Sequence, residues 1–293
     1  MKLKLSTGAK REITGLIFVF PMLACFLAFV IYPVVEALRM SLYGFDYTKY
    51  YWTGLGNYIS IFRDRVFLKS IKNTFMFVLY IVPSVILVSL FLSLLISKWT
   101  QKWQGFFKAV FYIPGVTSVV SMTLVWQYIF NDSFGLANYL LKLLGGNSVN
   151  WLGVSFAYPS LSLIMLSISM GGSIVVITAG LNGIPAELYE SASIDGVKTW
   201  SKFFCITLPL LKPTLLYVVV TATIGAFQVF AVILLMTGGG PAYDTTTMLM
   251  LIYREAFINM NFGVACAMGF VLCILVCIIA IFQFKFLSSD VEY

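Results

Sequence analysis

Apolar residues run along this chain in long blocks separated by short polar stretches. Six blocks, residues 13–35, 74–96, 109–130, 159–181, 213–237 and 263–282, approach or exceed the roughly 20 residues that a helix needs to cross a hydrocarbon core. The first follows Lys2, Lys4, Lys10 and Arg11 and continues ten residues past Cys25. A signal-peptide core is shorter, about 7–15 residues, so a retained anchor is expected here, although Leu23-Ala24-Cys25 faintly resembles a lipoprotein cleavage site.

Composition agrees with a chain whose solvent is partly lipid. Apolar residues make up 60% and charged residues 11% of the 293 positions, against about 45–50% and 25% in soluble domains. A water-soluble globular enzyme is excluded. Histidine is absent, which removes imidazole acid–base catalysis, histidine triads and imidazole metal sites. The five cysteines form no CxxC pair and no disulfide framework; Cys273 and Cys277 share a helix face and read as small hydrophobes. The net charge of +7 is scattered between the apolar blocks, so nucleic acid is not an expected partner and membrane lipid is.

Charge placement sets the expected orientation. With the amino terminus inside, the inner segments hold eleven Lys and Arg and the outer ones eight, the bias of cytoplasmic loops. Both termini are expected to be cytoplasmic. Trp99 and Trp103, beside Lys98 and Lys102, suit an inner interfacial belt.

No acidic residue falls within the six blocks. Ion-coupled carriers bury carboxylates, which cost about 2.5–3.5 kcal/mol or more in a bilayer and are kept there for function. No GxxxxGK[ST] phosphate loop exists either, and Gly238-Gly239-Gly240-Pro241 reads as an outer turn. A transporter of this kind must borrow its energy.

The informative polar segment is the inner loop 182–212. Pro185 suits a first helical position, with Glu187 and Glu190 near the positive helix start. Asp195-Gly196 breaks that helix. A second helix is expected from Val197, carrying Val197, Trp200, Phe203, Phe204 and Leu208 as an apolar stripe, stopped by Pro209 and Pro213. Such a hairpin either lies on the headgroups or docks into a soluble partner's groove.

Glu190-Ser191-Ala192, three residues, Gly196, nine residues and Ile206-Thr207-Leu208-Pro209 resembles the EAA loop of permease subunits of binding-protein-dependent ABC importers. Ser191 for the middle alanine is its one departure. Tyr32-Pro33, the run from Trp52 to Tyr58, Asn73-Thr74, Trp126 with Gly135 and Asn138, Trp151-Leu152, and the run from Thr237 to Pro241 with Thr245 are similar to the carbohydrate-uptake branch, of maltose and multiple-sugar type. The resemblance implies an all-α, six-span permease of the type I importer fold in a bacterial or archaeal plasma membrane. It implies an amino-terminal part (1–68), a five-span core (69–284) containing the coupling loop, and a cytoplasmic tail (285–293). Its implied partners are a second similar permease, an ATPase dimer and an extracytoplasmic sugar-binding protein. This chain would bind no cofactor, ATP and Mg being used by the ATPase. Glu190, Ser191, Ala192, Asp195, Gly196, Trp200, Phe203, Ile206, Leu208 and Pro209 are the expected coupling residues. A permease for a glycerol phosphate, a membrane scaffold that merely binds an ATPase, and an ion-coupled carrier are the alternatives.

A neutral sugar needs uncharged hydrogen-bonding groups and aromatics along its path. Ser162, Ser169 and Ser173 share a face of the fourth block, and Thr221 and Gln228 are seven apart in the fifth. These five are the candidate path residues. The other reading is that such small residues only let helices pack closely.

Overall fold

The computed structural model describes residues 7–45 and 49–287. Lys2, Lys4 and residues 288–293 of the expected tail lie outside them.

The chain is almost entirely helical. It opens with α1 (Thr7–Phe26), a π turn (Leu27–Ile31) and α2 (Tyr32–Ser41). A two-stranded antiparallel hairpin follows, β1 (Tyr43–Phe45) with β2 (Tyr50–Trp52), Tyr43 facing Trp52. This hairpin was not expected. Its aromatics favour strands, and Tyr43 and Trp52 pair edge to face at 5.1 Å. Then come α3 (Gly56–Arg63) and the long α4 (Arg65–Ile96), whose first turn is capped by Asp64 accepting from the Val66 N–H at 2.8 Å.

Next are α5 (Gln101–Val116), α6 (Val119–Ile129), α7 (Leu136–Leu143) and α8 (Ala157–Asn182). The loop after α8 holds α9 (Ala186–Ile194), α10 (Thr199–Lys202), a π turn (Phe203–Thr207) and α11 (Leu208–Leu210). The last described elements are α12 (Lys212–Phe227), α13 (Ala231–Met236), α14 (Met248–Tyr253), a π turn (Arg254–Ile258) and α15 (Phe262–Leu287).

Among the described residues, four helical rods are long and apolar enough to cross a membrane: Gly15–Ser41, Arg65–Ile96, Ala157–Asn182 and Phe262–Leu287. Six crossings result when each of two bent pairs counts as one. The first pair puts a bend inside the third expected span, and the second bends at Leu211, just ahead of the fifth. Gln101–Val116 meets Val119–Ile129 at 96°, because Thr117 and Ser118 are extended between them. In the fifth block, α12 stops at Phe227, and Gln228 to Phe230 are not helical. The Val229 carbonyl freed there accepts from the Thr247 hydroxyl at 2.8 Å. Pro209 does not stop a helix either. It opens α11, and the wider π turn before it spares its ring the clash that proline makes with a carbonyl four residues back.

The core is built around α4 and α8, which pack along their length, with α5 laid on α8 and α12 on α4. Phe77, Ile81, Val85, Leu161, Ile164 and Ile233 form its centre. Ser89 and Ser93 of α4 donate across the seam to the Met170 and Ile174 carbonyls at 3.4 and 3.3 Å. A second cluster joins Phe67, Phe227, Met248 and Met268. The first span meets the rest through α2, which packs on α15, while α1 from Gly15 onward is largely bare; Phe18 is 80% exposed. Such apolar surface is stable only in lipid or against another subunit.

Candidate functional site: a helical hairpin and a cavity between spans

The loop between α8 and α12 folds as a helical hairpin at one end of the bundle. Ile184 and Leu211, both buried, root its two ends in a cluster with Ile177, Leu215 and Val218. The turn at Gly196 is fully hydrogen-bonded: the Gly196 N–H donates to the Ser193 carbonyl at 3.2 Å and the Val197 N–H to the Ala192 carbonyl at 3.0 Å. That pair of bonds is a Schellman closure, which places the residue after the cap in the left-handed region. Gly196 has φ +70°. Its two arms are cross-tied, Tyr189 to Thr207 between hydroxyls at 2.9 Å and Lys202 donating to Ser193 Oγ at 2.5 Å.

Around this frame Glu187, Glu190, Ser191, Asp195 and Gly196 are exposed, and Ala192 is buried against the hairpin. Ile194 is 87% exposed, a bare apolar tip that composition did not single out. Of the expected stripe, Trp200 is 75% and Phe204 57% exposed, stacked at 6.3 Å. Phe203, Ile206, Leu208 and Pro209 are half-buried. The π turn rotates the stripe, so Phe203 and Trp200 also face the end of α4.

Within the bundle, Ser169 and Ser173 of α8 meet Thr221 of α12 in a cavity of ≈ 250 Å³. Met165, Tyr217 and Gly225 also line it. Tyr217 lies one turn before Thr221 on the same face, a signal available in the sequence and not used. Thr221 and Ser173 spend their hydroxyl protons locally, on the Tyr217 carbonyl at 2.8 Å and the Ser169 carbonyl at 3.4 Å, which leaves their oxygens able to accept. Among the described residues no charged side chain lines it, and no three Cys, Asp or Glu are grouped to hold a metal.

Two candidate path residues are not brought there. Ser162 is buried in the packed core with no hydrogen-bond partner for its hydroxyl. Gln228 caps the end of α12, exposed, so its seven-residue spacing from Thr221 does not continue one helix face.

At the opposite end, the Gly-rich turn is held by a polar knot. Lys69 pairs with Asp244 at 2.6 Å, Asn73 donates to the Tyr243 and Thr246 carbonyls, and Tyr158 donates to Asn73 Oδ1 at 2.8 Å. Nearby, Asn138 is 2% exposed and accepts from the Trp151 indole at 3.1 Å. The motif residues of these loops are thus structural ties.

Residues 52–293 match the binding-protein-dependent transport system inner membrane component family. The chain belongs to that family. This permease is 30% identical to the lactose transport system permease protein LacF of Rhizobium radiobacter, over 93% of each chain. It is 32% identical to the trehalose/maltose permease protein MalF of Thermococcus litoralis over 89% of each. The sn-glycerol-3-phosphate permease protein UgpA of Agrobacterium fabrum is 28% identical over 97% of each. It shares its fold with a chain of a bacterial ABC transporter involved in the import of the acidic polysaccharide alginate, at a TM-score of 0.81, 23% identity and 97% coverage. The all-α polytopic architecture expected from the sequence is therefore that of the family.

Proposed function

We propose that this permease forms half of the path of an ATP-driven sugar importer, beside a second similar permease, with an extracytoplasmic binding protein delivering the solute. Its hairpin docks an ATPase dimer, which supplies the ATP and Mg chemistry. The observation that carries this reading is the EAA segment folded as a cross-tied hairpin whose exposed face, Glu187 to Gly196, looks away from the bundle. A groove on a soluble partner suits that shape. The absence of an intramembrane carboxylate in α4, α8, α12 and α15 favours a borrowed energy source over ion coupling.

The uncharged lining of the cavity at Ser169, Ser173 and Thr221 favours a neutral sugar over a glycerol phosphate, which needs a cation. Uptake of labelled lactose, maltose, trehalose and glycerol 3-phosphate, in a strain lacking this chain and in one restored with it, tests this. A sugar restored by the chain, in an ATP-dependent manner insensitive to collapse of the proton gradient, is the expected result. Restoration of no solute supports the scaffold reading.

If the cavity holds the solute, Ser169→Val and Thr221→Val should each remove one neutral hydrogen bond, about 0.5–1.5 kcal/mol, lowering uptake affinity roughly two- to tenfold. Assembly of the transporter should be unchanged. Unaltered affinity and sugar preference in both variants would remove these residues from the path.

Orientation follows from the same reading. In a cysteine-free background, Lys102→Cys and Lys202→Cys should react with an impermeant reagent only from the cytoplasm. Tyr243→Cys and Leu144→Cys should react from outside; Leu144 is 85% exposed and replaces the buried Asn138 as the probe of its loop. Labelling of position 202 in intact cells would invert the topology.

A further inference from the structure

Between the hairpin and the end of α4 lies a second cavity, of ≈ 540 Å³, apart from the exposed face of α9 and from the solute path, and lined on the hairpin side by Trp200 and Phe203 of the expected coupling set. One wall is Phe91, Leu94 and Leu95 of α4 and the other is Trp200 and Phe203. Lys98 and Lys202 stand in its lining, and among the described residues no carboxylate does. The apolar wall does not end at the cavity. Leu87, Phe91 and Leu95, four apart and 66%, 61% and 43% exposed, continue it as an open strip along the membrane-spanning helix.

Trp99 and Trp103, in edge contact at 6.2 Å just beyond this strip, mark headgroup depth. The two lysines are thus at the level of lipid phosphates. Lys202 gives one ammonium hydrogen to Ser193, leaving two of its three donors. The Lys98 ammonium makes no ion pair or hydrogen bond among the described residues. An apolar strip that leads to a pair of cations at headgroup depth matches one chemistry, an acyl chain ending in an anionic phosphate.

We propose that this cavity binds an anionic phospholipid, its acyl chain on the α4 strip and its phosphate between Lys98 and Lys202, bridging α4 to the hairpin. A zwitterionic lipid fits the strip but gains less at the lysines, because its own ammonium offsets the phosphate. The docking face of α9 is left free.

Native mass spectrometry of the complete transporter, released into detergent with phosphatidylglycerol or phosphatidylcholine, tests the site. A lysine near a membrane surface contributes a factor of about five toward anionic lipid, so Lys98→Ala with Lys202→Ala should lower phosphatidylglycerol retention roughly 30-fold. Phosphatidylcholine retention should fall much less. Lys102→Ala with Lys108→Ala removes equal charge outside the cavity and should leave retention intact. Equal losses from both pairs, or displacement of the lipid by inorganic phosphate, would overturn the proposal. A photoreactive acyl chain on phosphatidylglycerol should label residues 87–95 of the unmodified protein above the exposed face of α15; even labelling would overturn it too. The readout is lipid retention, so its failure is distinguishable from a failure of the transport reading.

Discussion

Gly196→Pro is expected to abolish solute uptake while the protein still reaches the membrane. The residue sits at φ +70° and its N–H closes the turn onto Ser193. Proline fixes φ near −65° and has no N–H, so the substitution removes a bond and the conformation together. No atom lies within 4 Å of a Cβ placed there, so the effect passes through the backbone alone. Gly196→Ala should therefore be graded, about 1–2 kcal/mol of strain in the turn, with reduced uptake, and Gly196→Val should be more severe than alanine. Membrane levels measured beside uptake separate coupling from insertion. Normal uptake in Gly196→Pro would remove the hairpin from the coupling mechanism.

The second large effect comes from two adjacent glycines of α8 that should behave in opposite ways. A Cβ on Gly171 would run into the Phe111 carbonyl and lie 2.7 Å from the Tyr112 Cα, both backbone atoms of α5. On the other side of the crossing, one on Gly115 would lie 2.8 Å from the Ile168 carbonyl. The helices touch main chain to main chain, as small residues permit in membranes. Gly171→Val should cost about 3 kcal/mol or more, since backbone cannot swing aside as a side chain does, and should lower the yield of folded protein on size exclusion. A Cβ on Gly172 meets nothing within 4 Å, yet the residue lines the cavity with Ser173. Gly172→Val should fold normally and impair uptake. If Gly171→Val folds as well as Gly172→Val, the close crossing of α5 and α8 is wrong.

How much of this was legible in the sequence depends on the kind of signal. Hydropathy sums apolar residues along the chain whatever direction it takes, so it located the blocks and missed the 96° bend at Thr117–Ser118 and the break after Phe227. The hairpin was readable because its signals are local: Pro185 before a helix, Gly196 after one, and a fixed spacing to Leu208 and Pro209. Helical spacing reports angle and not depth. Ser162 shares a stripe with Ser169, but about 10 Å along the axis carries it from the cavity into packed core. Gln228 failed for the other reason, since its face ended with its helix. Asn138 and Trp151 belong to separate motif stretches, and only the fold reveals that they hold each other. The lysine-lined cavity had no sequence signature, because Lys98 and Lys202 come together from segments about a hundred positions apart.

The joint at Leu211 has a mechanical meaning. The hairpin's exit helix, Thr199–Leu210, and the 16-residue α12 meet there at 68°, and the side chain between them is wholly buried. A buried pivot between two stiff rods makes a bell crank. In the proposed coupling, a push along the exit helix would be turned into a swing of α12, which at 1.5 Å per residue is an arm of about 24 Å. Five degrees of rotation sweeps its far end through about 2 Å. Thr221 lies just past the middle of that arm, so under that coupling a small stroke at the hairpin would widen or narrow the cavity by an appreciable part of a hydroxyl's reach.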